Sequence, residues 1–245
     1  MTGSPQYSIF ITEAVQISLS LLFFIVFVFM AGITWYAAAA RQKKLYNAVK
    51  PFVILPLIAW FITRGRTDTP YLLFLIGLSL SFFGDIAMVF TNRTVFFTGM
   101  FLFALAHLSY AIGYSLWPTT LISFGNFLLV PALVILFGTL FYRPAANKNP
   151  AMKTYFQVAI FYAVFILTML AMAVASYARI GWSPIPATMA FIGALLFVVS
   201  DTMIAFERFG YTQKNLRFWF ISSYHISQFL IASSVLYIAN GGFYF

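Results

Sequence analysis

Apolar stretches of about 20 residues, the length that crosses a bilayer as a helix, recur eight times along the chain. They fall near residues 17–40, 49–63, 71–90, 95–117, 121–142, 154–178, 184–206 and 218–239. The second is short and holds Pro51 and Pro56, so it is expected to be kinked or to begin inside the preceding loop. Connections are brief, such as Thr91-Asn92-Arg93-Thr94 and Trp117-Pro118-Thr119. No linker divides the chain. The pattern predicts an all-α membrane protein, with eight transmembrane helices in one bundle spanning residues 1–245. The first run is too long for a signal peptide and has no basic segment before it, so it reads as a helix.

Composition sharpens this. Of the 245 residues 62% are hydrophobic and only 8% charged, against about 45–50% and 25% in soluble domains. So few charges cannot cover a water-soluble surface. Soluble enzymes, disordered tails and nucleic-acid modules are excluded despite a net charge of +9. Basic residues cluster after the odd-numbered helices: Arg41, Lys43, Lys44 and Lys50; Arg93; Arg143, Lys148 and Lys153; Arg208, Lys214 and Arg217. The opposite side holds only Arg64, Arg66 and Arg179. The positive-inside rule then puts the odd loops in the cytoplasm and both termini outside or in the lumen. The sequon Asn92-Arg93-Thr94 is expected to be cytoplasmic and unglycosylated. The basic excess also suits anionic lipid headgroups, which makes membrane lipids expected partners.

A faint internal repeat accompanies the spans. Gly77, Asp85 and Phe90 match Gly193, Asp201 and Phe206 at a constant offset of 116, and His107 matches His225 at 118. Both aspartate helices run the same way, so the repeat would be a parallel four-plus-four duplication. Such repeats occur in transporters, so it does not by itself choose between enzyme and carrier.

The chemistry centres on two carboxyls. Glu13, Asp68 and Glu207 lie near helix ends, whereas Asp85 and Asp201 lie about 7–8 Å inside their spans at 1.5 Å per residue. A charged group at mid-helix costs up to about 2.5–3.5 kcal/mol on insertion scales, which makes each a candidate for function. At matching depth the two can meet in one cavity, where one stays protonated beside the other's charge and the pair supplies an acid and a base. The alternative is that each only ties the bundle together.

Polar neighbours share plausible faces. Gly77, Ser81 and Asp85 form a small, polar stripe, and His107, Tyr110 and Tyr114 lie together on the next helix. Tyr224 and Gln228 are one turn apart, with His225 beside them. Such groups can orient a carboxylate or hold a water. They also serve as interhelical ties contributing below about 1–2 kcal/mol each, the simpler reading for Tyr110, Tyr114 and His225 taken singly. The chain has no Cys and two His, so a metal site would be unusually poor in ligands. Phosphate loops, serine-hydrolase elbows and zinc-protease helices have no counterpart here. Neither metal nor cofactor is expected.

Gly84-Asp85-Ile86-Ala87-Met88 and Phe103-Ala104-Leu105-Ala106-His107-Leu108-Ser109-Tyr110 resemble the first half of the YhhN-like lysoplasmalogenase family. Phe197-Val198-Val199-Ser200-Asp201-Thr202-Met203-Ile204-Ala205 resembles its second aspartate segment, followed by Tyr224 and Gln228. Lys50-Pro51 resembles the step that opens that family's second helix. The resemblance covers roughly residues 45–235. His225 departs from it, and no role is carried over to that residue. The resemblance implies a polytopic hydrolase that cleaves the vinyl ether of lysoplasmalogens to a fatty aldehyde and glycerophosphoethanolamine or glycerophosphocholine. That chemistry needs a general acid and a carboxylate facing an oxocarbenium ion, roles that Asp85 and Asp201 can fill. Ser81, His107, Tyr110, Tyr224 and Gln228 would support them. Lys50 or Arg208 would hold the lysophospholipid phosphate at the cytoplasmic rim, so removing the Lys50 charge is expected to raise KM more than it lowers kcat.

Two other readings stand beside this one: a proton-coupled lipid or small-molecule transporter using both aspartates, and a lipid sensor or scaffold in which they are structural. The membrane would be the cytoplasmic one in a bacterium and the endoplasmic reticulum in a eukaryote.

Overall fold

The computed structural model describes residues 5–90, 92–119, 136, 152–208 and 213–242, with side chains over 15–90, 92–119, 136, 158–207 and 213–242. The described residues are helical almost throughout. The helices are α1 (Pro5–Ala39), α2 (Lys43–Val49), α3 (Ile54–Arg64), α4 (Thr69–Val89), α5 (Arg93–Ser115), α6 (Met152–Val174), α7 (Pro184–Arg208) and α8 (Leu216–Asn240). Among the described residues the sole β contact is an isolated bridge between Thr119 and Arg179.

Six stretches among the described residues are long and apolar enough to cross a membrane: Val15–Ala39, Lys43–Arg64, Thr69–Val89, Arg93–Ser115, Val158–Ala178 and Pro184–Glu207. This is an integral, multi-pass membrane protein. The count differs from the eight expected spans for two reasons. The span expected at 121–142 lies outside the described residues. The last helix, α8, is 25 residues long but buries Ser222, His225, Ser227, Gln228, Ser233 and Ser234, which makes it less apolar than the rest. Outward-facing Phe29, Phe161, Ile62 and Ile180 stay exposed, as lipid-facing side chains do.

The stretch Lys43–Arg64 begins inside the loop and bends. Lys50–Phe52 forms a 3-10 turn between α2 and α3, where Pro51 brings no backbone donor to the ladder. The bend has a functional consequence, because it turns Lys50 inward.

Helix α4 packs along α5, and α7 along α8, with α6 against α5 and α7, and α1 against α3 and α8. Glycines allow the two closest pairings. A Cβ on Gly77 of α4 would stand 2.3 Å from the Tyr110 ring of α5, and one on Gly193 of α7 would stand 3.0 Å from the Ile231 backbone nitrogen of α8. Small residues at membrane helix crossings permit such approach. Hydroxyl ties reinforce both pairs: Ser109 Oγ donates to Leu73 O at 2.7 Å and Ser227 Oγ to Gly193 O at 2.7 Å. Between the pairs, Phe103, Phe197 and Tyr224 stack edge to face, an aromatic cluster beside the site.

Candidate active site

Asp85 comes from the last turns of α4 and Asp201 from α7, and both line one cavity of about 290 Å³. Asp85 is 1% exposed. Its Oδ2 accepts a hydrogen bond from Tyr224 Oη of α8 at 2.6 Å, and Lys50 Nζ stands 3.1 Å from Oδ1 as its ion-pair partner. Burying a carboxylate is costly unless a counter-charge and donors replace water, and Lys50 and Tyr224 provide both.

A chain of donors runs into this carboxylate. Tyr110 Oη donates to Gln228 Oε1 at 2.8 Å, and Gln228 Nε2 points at Tyr224 Oη at 3.5 Å. Each group is fully enclosed. Tyr110 is wedged by stacking on Phe74, and Ser81, one turn before Asp85, is buried beside it. The series fixes the direction of the Tyr224 proton, which has Asp85 as its acceptor.

Asp201 has different company. Tyr162 of α6 donates to Asp201 Oδ2, and His107 Nε2 of α5 lies 2.7 Å from Tyr162 Oη and 3.4 Å from the same carboxylate oxygen. With Tyr162 donating to Asp201, His107 donates to Tyr162 through Nε2–H, leaving Nδ1 bare in a buried position. Among the described residues His107 is the only basic side chain within 4 Å of Asp201. The Asp201 side chain is 16% exposed and faces the cavity.

A second, almost wholly apolar cavity of about 110 Å³ opens between α4, α5, α6 and α7. It shares Met88, Phe103, Asp201 and Ile204 with the first. Asp201 therefore stands where a polar chamber becomes an apolar groove. On its other side the chamber meets a third cavity near Arg41 and Lys43.

The structure brings Ser81, Asp85, Tyr110, Tyr224, Gln228 and Lys50 into one connected group, and His107 and Asp201 into another, around a shared chamber. Lys50 does not reach the rim where a phosphate was expected. It is 8% exposed and its ammonium is taken by Asp85, because the 3-10 turn aims it inward. Arg208 ends α7, and its side chain lies outside the described residues. Tyr114 bonds Ser234 Oγ at 3.2 Å, away from both carboxyls, and His225 accepts from Trp35 Nε1 at 3.0 Å. Sequence reasoning passed over Tyr162. Its signal was the stripe Ala159, Tyr162, Ala163, Ile166 at helical spacing, in which it is the one polar member.

The chain matches the YhhN family over residues 45–235. It is 32% identical over 165 residues to the protein named lysoplasmalogenase TMEM86A of Bos taurus, a match covering 66% of this chain and 64% of that one. It is 28% identical over 189 residues to lysoplasmalogenase TMEM86B of Rattus norvegicus, covering 76% and 70%. The chain thus spans just under two thirds of the bovine relative's length. No solved structure matches it. The matched region holds Lys50, both aspartates, His107, Tyr162, Tyr224 and Gln228 in order, and on that footing the chain belongs to the YhhN family.

Proposed function

We propose that this protein is a membrane-embedded lysoplasmalogenase, hydrolysing the vinyl ether bond of 1-alkenyl lysophospholipids with Asp201 as general acid and Asp85 as the facing carboxylate. The observation that carries this reading is the junction at Asp201, where a chamber holding both carboxyls passes into an apolar groove. An alkenyl lipid laid along that path has its chain in the groove and its enol ether beside the two acids. The names of the bovine and rat relatives support the same reaction.

The two environments support the division of roles. Asp85 faces Lys50 and receives the Tyr224 proton, an arrangement suited to a standing carboxylate. Asp201 has a tyrosine and a histidine but neither Lys nor Arg within 4 Å among the described residues, which suits a carboxylic acid. In the reaction, the Asp201 proton adds to the β-carbon of the vinyl ether. The Asp85 carboxylate faces the resulting oxocarbenium ion. Water adds to the carbon bearing oxygen and gives a proton to Asp85. The hemiacetal then collapses: its hydroxyl proton returns to Asp201, while Asp85 protonates the departing glycerol oxygen. One water is consumed, and both carboxyls end as they began.

The partners cross over between helix pairs. Asp85 on α4 is met by Tyr224 on α8, and Asp201 on α7 by His107 on α5. We read this crossing as the outcome of a parallel duplication.

The test is aldehyde release from a 1-alkenyl lysophospholipid by the purified protein in detergent. Native protein should release aldehyde, and Asp85→Asn and Asp201→Asn should each lose about 10²–10⁴-fold in kcat, the span of general acid–base catalysis. Native protein that stays folded yet releases none from either ethanolamine or choline substrates would sink the proposal.

A further inference from the structure

Beyond the reaction chamber lies a cavity of about 330 Å³ that the proposed chemistry does not use. It shares Lys43, Tyr46, Glu207 and Arg217 with the chamber, so the two are continuous. Arg41 adds a third cationic side chain, against one carboxylate, Glu207. Arg217 Nη2 donates to Glu207 Oε1 at 2.7 Å, and its guanidinium carbon lies 5.7 Å from the centre of the Tyr46 ring. Arg41 and Lys43 have no carboxylate within 4 Å among the described residues. The cavity thus presents two uncompensated cations and one exchangeable ion pair.

Its walls are held by unusual backbone. Arg41, two residues after the end of α1, and Asn215, directly before α8, both adopt the left-handed conformation, at φ 57° and 64°. Residues other than glycine and asparagine seldom take it, which makes Arg41 the outlier, and such positions concentrate where ligands bind. Arg41 and Asn215 both line this cavity.

From this charge pattern we propose that the cavity is the headgroup site for a zwitterionic phosphodiester: Lys43 and Arg41 take the phosphate, and Glu207 takes the headgroup ammonium. On binding, the ammonium replaces Arg217 at Glu207, and the freed guanidinium, steadied over Tyr46, turns to the phosphate. The proposal rests on the lysophospholipid reading and names the part of the substrate that the carboxyl chemistry leaves undetermined. The order of cavities, apolar groove, carboxyl chamber and cationic vestibule, matches the order of groups in such a lipid. Glu207 is the residue that separates zwitterionic from purely anionic headgroups, because a phosphoglycerol has nothing to exchange for Arg217.

The test uses binding rather than turnover, so that it stands apart from hydrolysis. The probes are 1-O-alkyl lysophospholipids, whose saturated ether is not cleaved by vinyl ether chemistry, carrying ethanolamine, choline or glycerol headgroups. Affinities are measured on the full chain in detergent, with thermal melting as the control for folding. Glu207→Gln should weaken ethanolamine and choline probes at least about fivefold and leave the glycerol probe unchanged or tighter, while Glu207→Asp keeps the native order. Lys43→Gln should weaken all three. An equal effect of Glu207→Gln on all headgroups, or unchanged binding in Lys43→Gln, overturns the assignment. A chain that shows the expected pattern but releases no aldehyde keeps the headgroup site and loses only the proposed reaction.

Discussion

Lys50 sits 3.1 Å from a carboxylate that is 1% exposed, so its charge serves Asp85 before it can serve a ligand. Removing one partner of a buried pair strands the other, at about 3–5 kcal/mol. Lys50→Gln is therefore expected to lower kcat and melting temperature while KM changes less than about threefold. A rise in KM with kcat kept would instead put Lys50 on the phosphate. The two tyrosines argue similarly. Tyr224 gives a hydrogen bond to the Asp85 carboxylate, and Tyr162 gives one to Asp201 that becomes charge-assisted once that acid has passed its proton to the substrate; such charge-assisted bonds contribute about 1.5–3 kcal/mol. In the proposed reaction, Tyr162→Phe and Tyr224→Phe should each cost about 10- to 150-fold in kcat, since each 1.36 kcal/mol is tenfold. Unchanged kcat in either would make that tyrosine a structural tie.

At the scale of elements, the α4–α5 pairing carries the site. Gly77 lets the Tyr110 ring lie against the α4 backbone, and that ring starts the donor series that ends at Asp85. A methyl there meets a ring already held by Phe74, and overpacking of this kind costs about 1–3 kcal/mol. Gly77→Ala should lower thermal stability in detergent and reduce activity together. Gly32 of α1 is the internal comparison: a Cβ there meets nothing within 4 Å. Gly32→Ala should be neutral or stabilising by up to about 1 kcal/mol, the helix-propensity gain alone. Equal melting temperatures for the two variants would show that the glycine contact is not what holds the pair. The Lys50–Phe52 turn belongs to this scale as well, since a straight helix through residue 50 would aim the lysine elsewhere.

At the scale of the molecule, four helices, α4 to α7, enclose the path from Asp201 into the apolar groove. Ala159 lies on its wall. A larger side chain there shortens the groove without touching either carboxyl. Ala159→Phe is expected to cut kcat/KM for long alkenyl chains far more than for short ones, measured by aldehyde release across a chain-length series. A uniform loss across lengths would mean that the chain lies elsewhere.

Much of this was legible in the residues. Hydropathy alone dictates a helical membrane protein, because only helices satisfy every backbone group within a 20-residue apolar run. Asp85 and Asp201 stood out for the cost of putting a carboxyl in lipid, and the i, i+4 pair Tyr224 and Gln228 does form a hydrogen bond. Helical spacing says which side chains share a face but not which helix that face meets. That is why His107 and His225, matched along the chain, part company: one joins Tyr162 and Asp201, the other Trp35. The pairing of Lys50 with Asp85 and the place of Tyr162 between His107 and Asp201 depend on contacts between residues 35 or more apart in sequence. Sequence determined the solvent each segment needs and the rare groups that lipid would reject. Tertiary structure decided which groups compensate one another, because a buried charge is stabilised by whatever packing brings within 3 or 4 Å, and no local pattern encodes that distance.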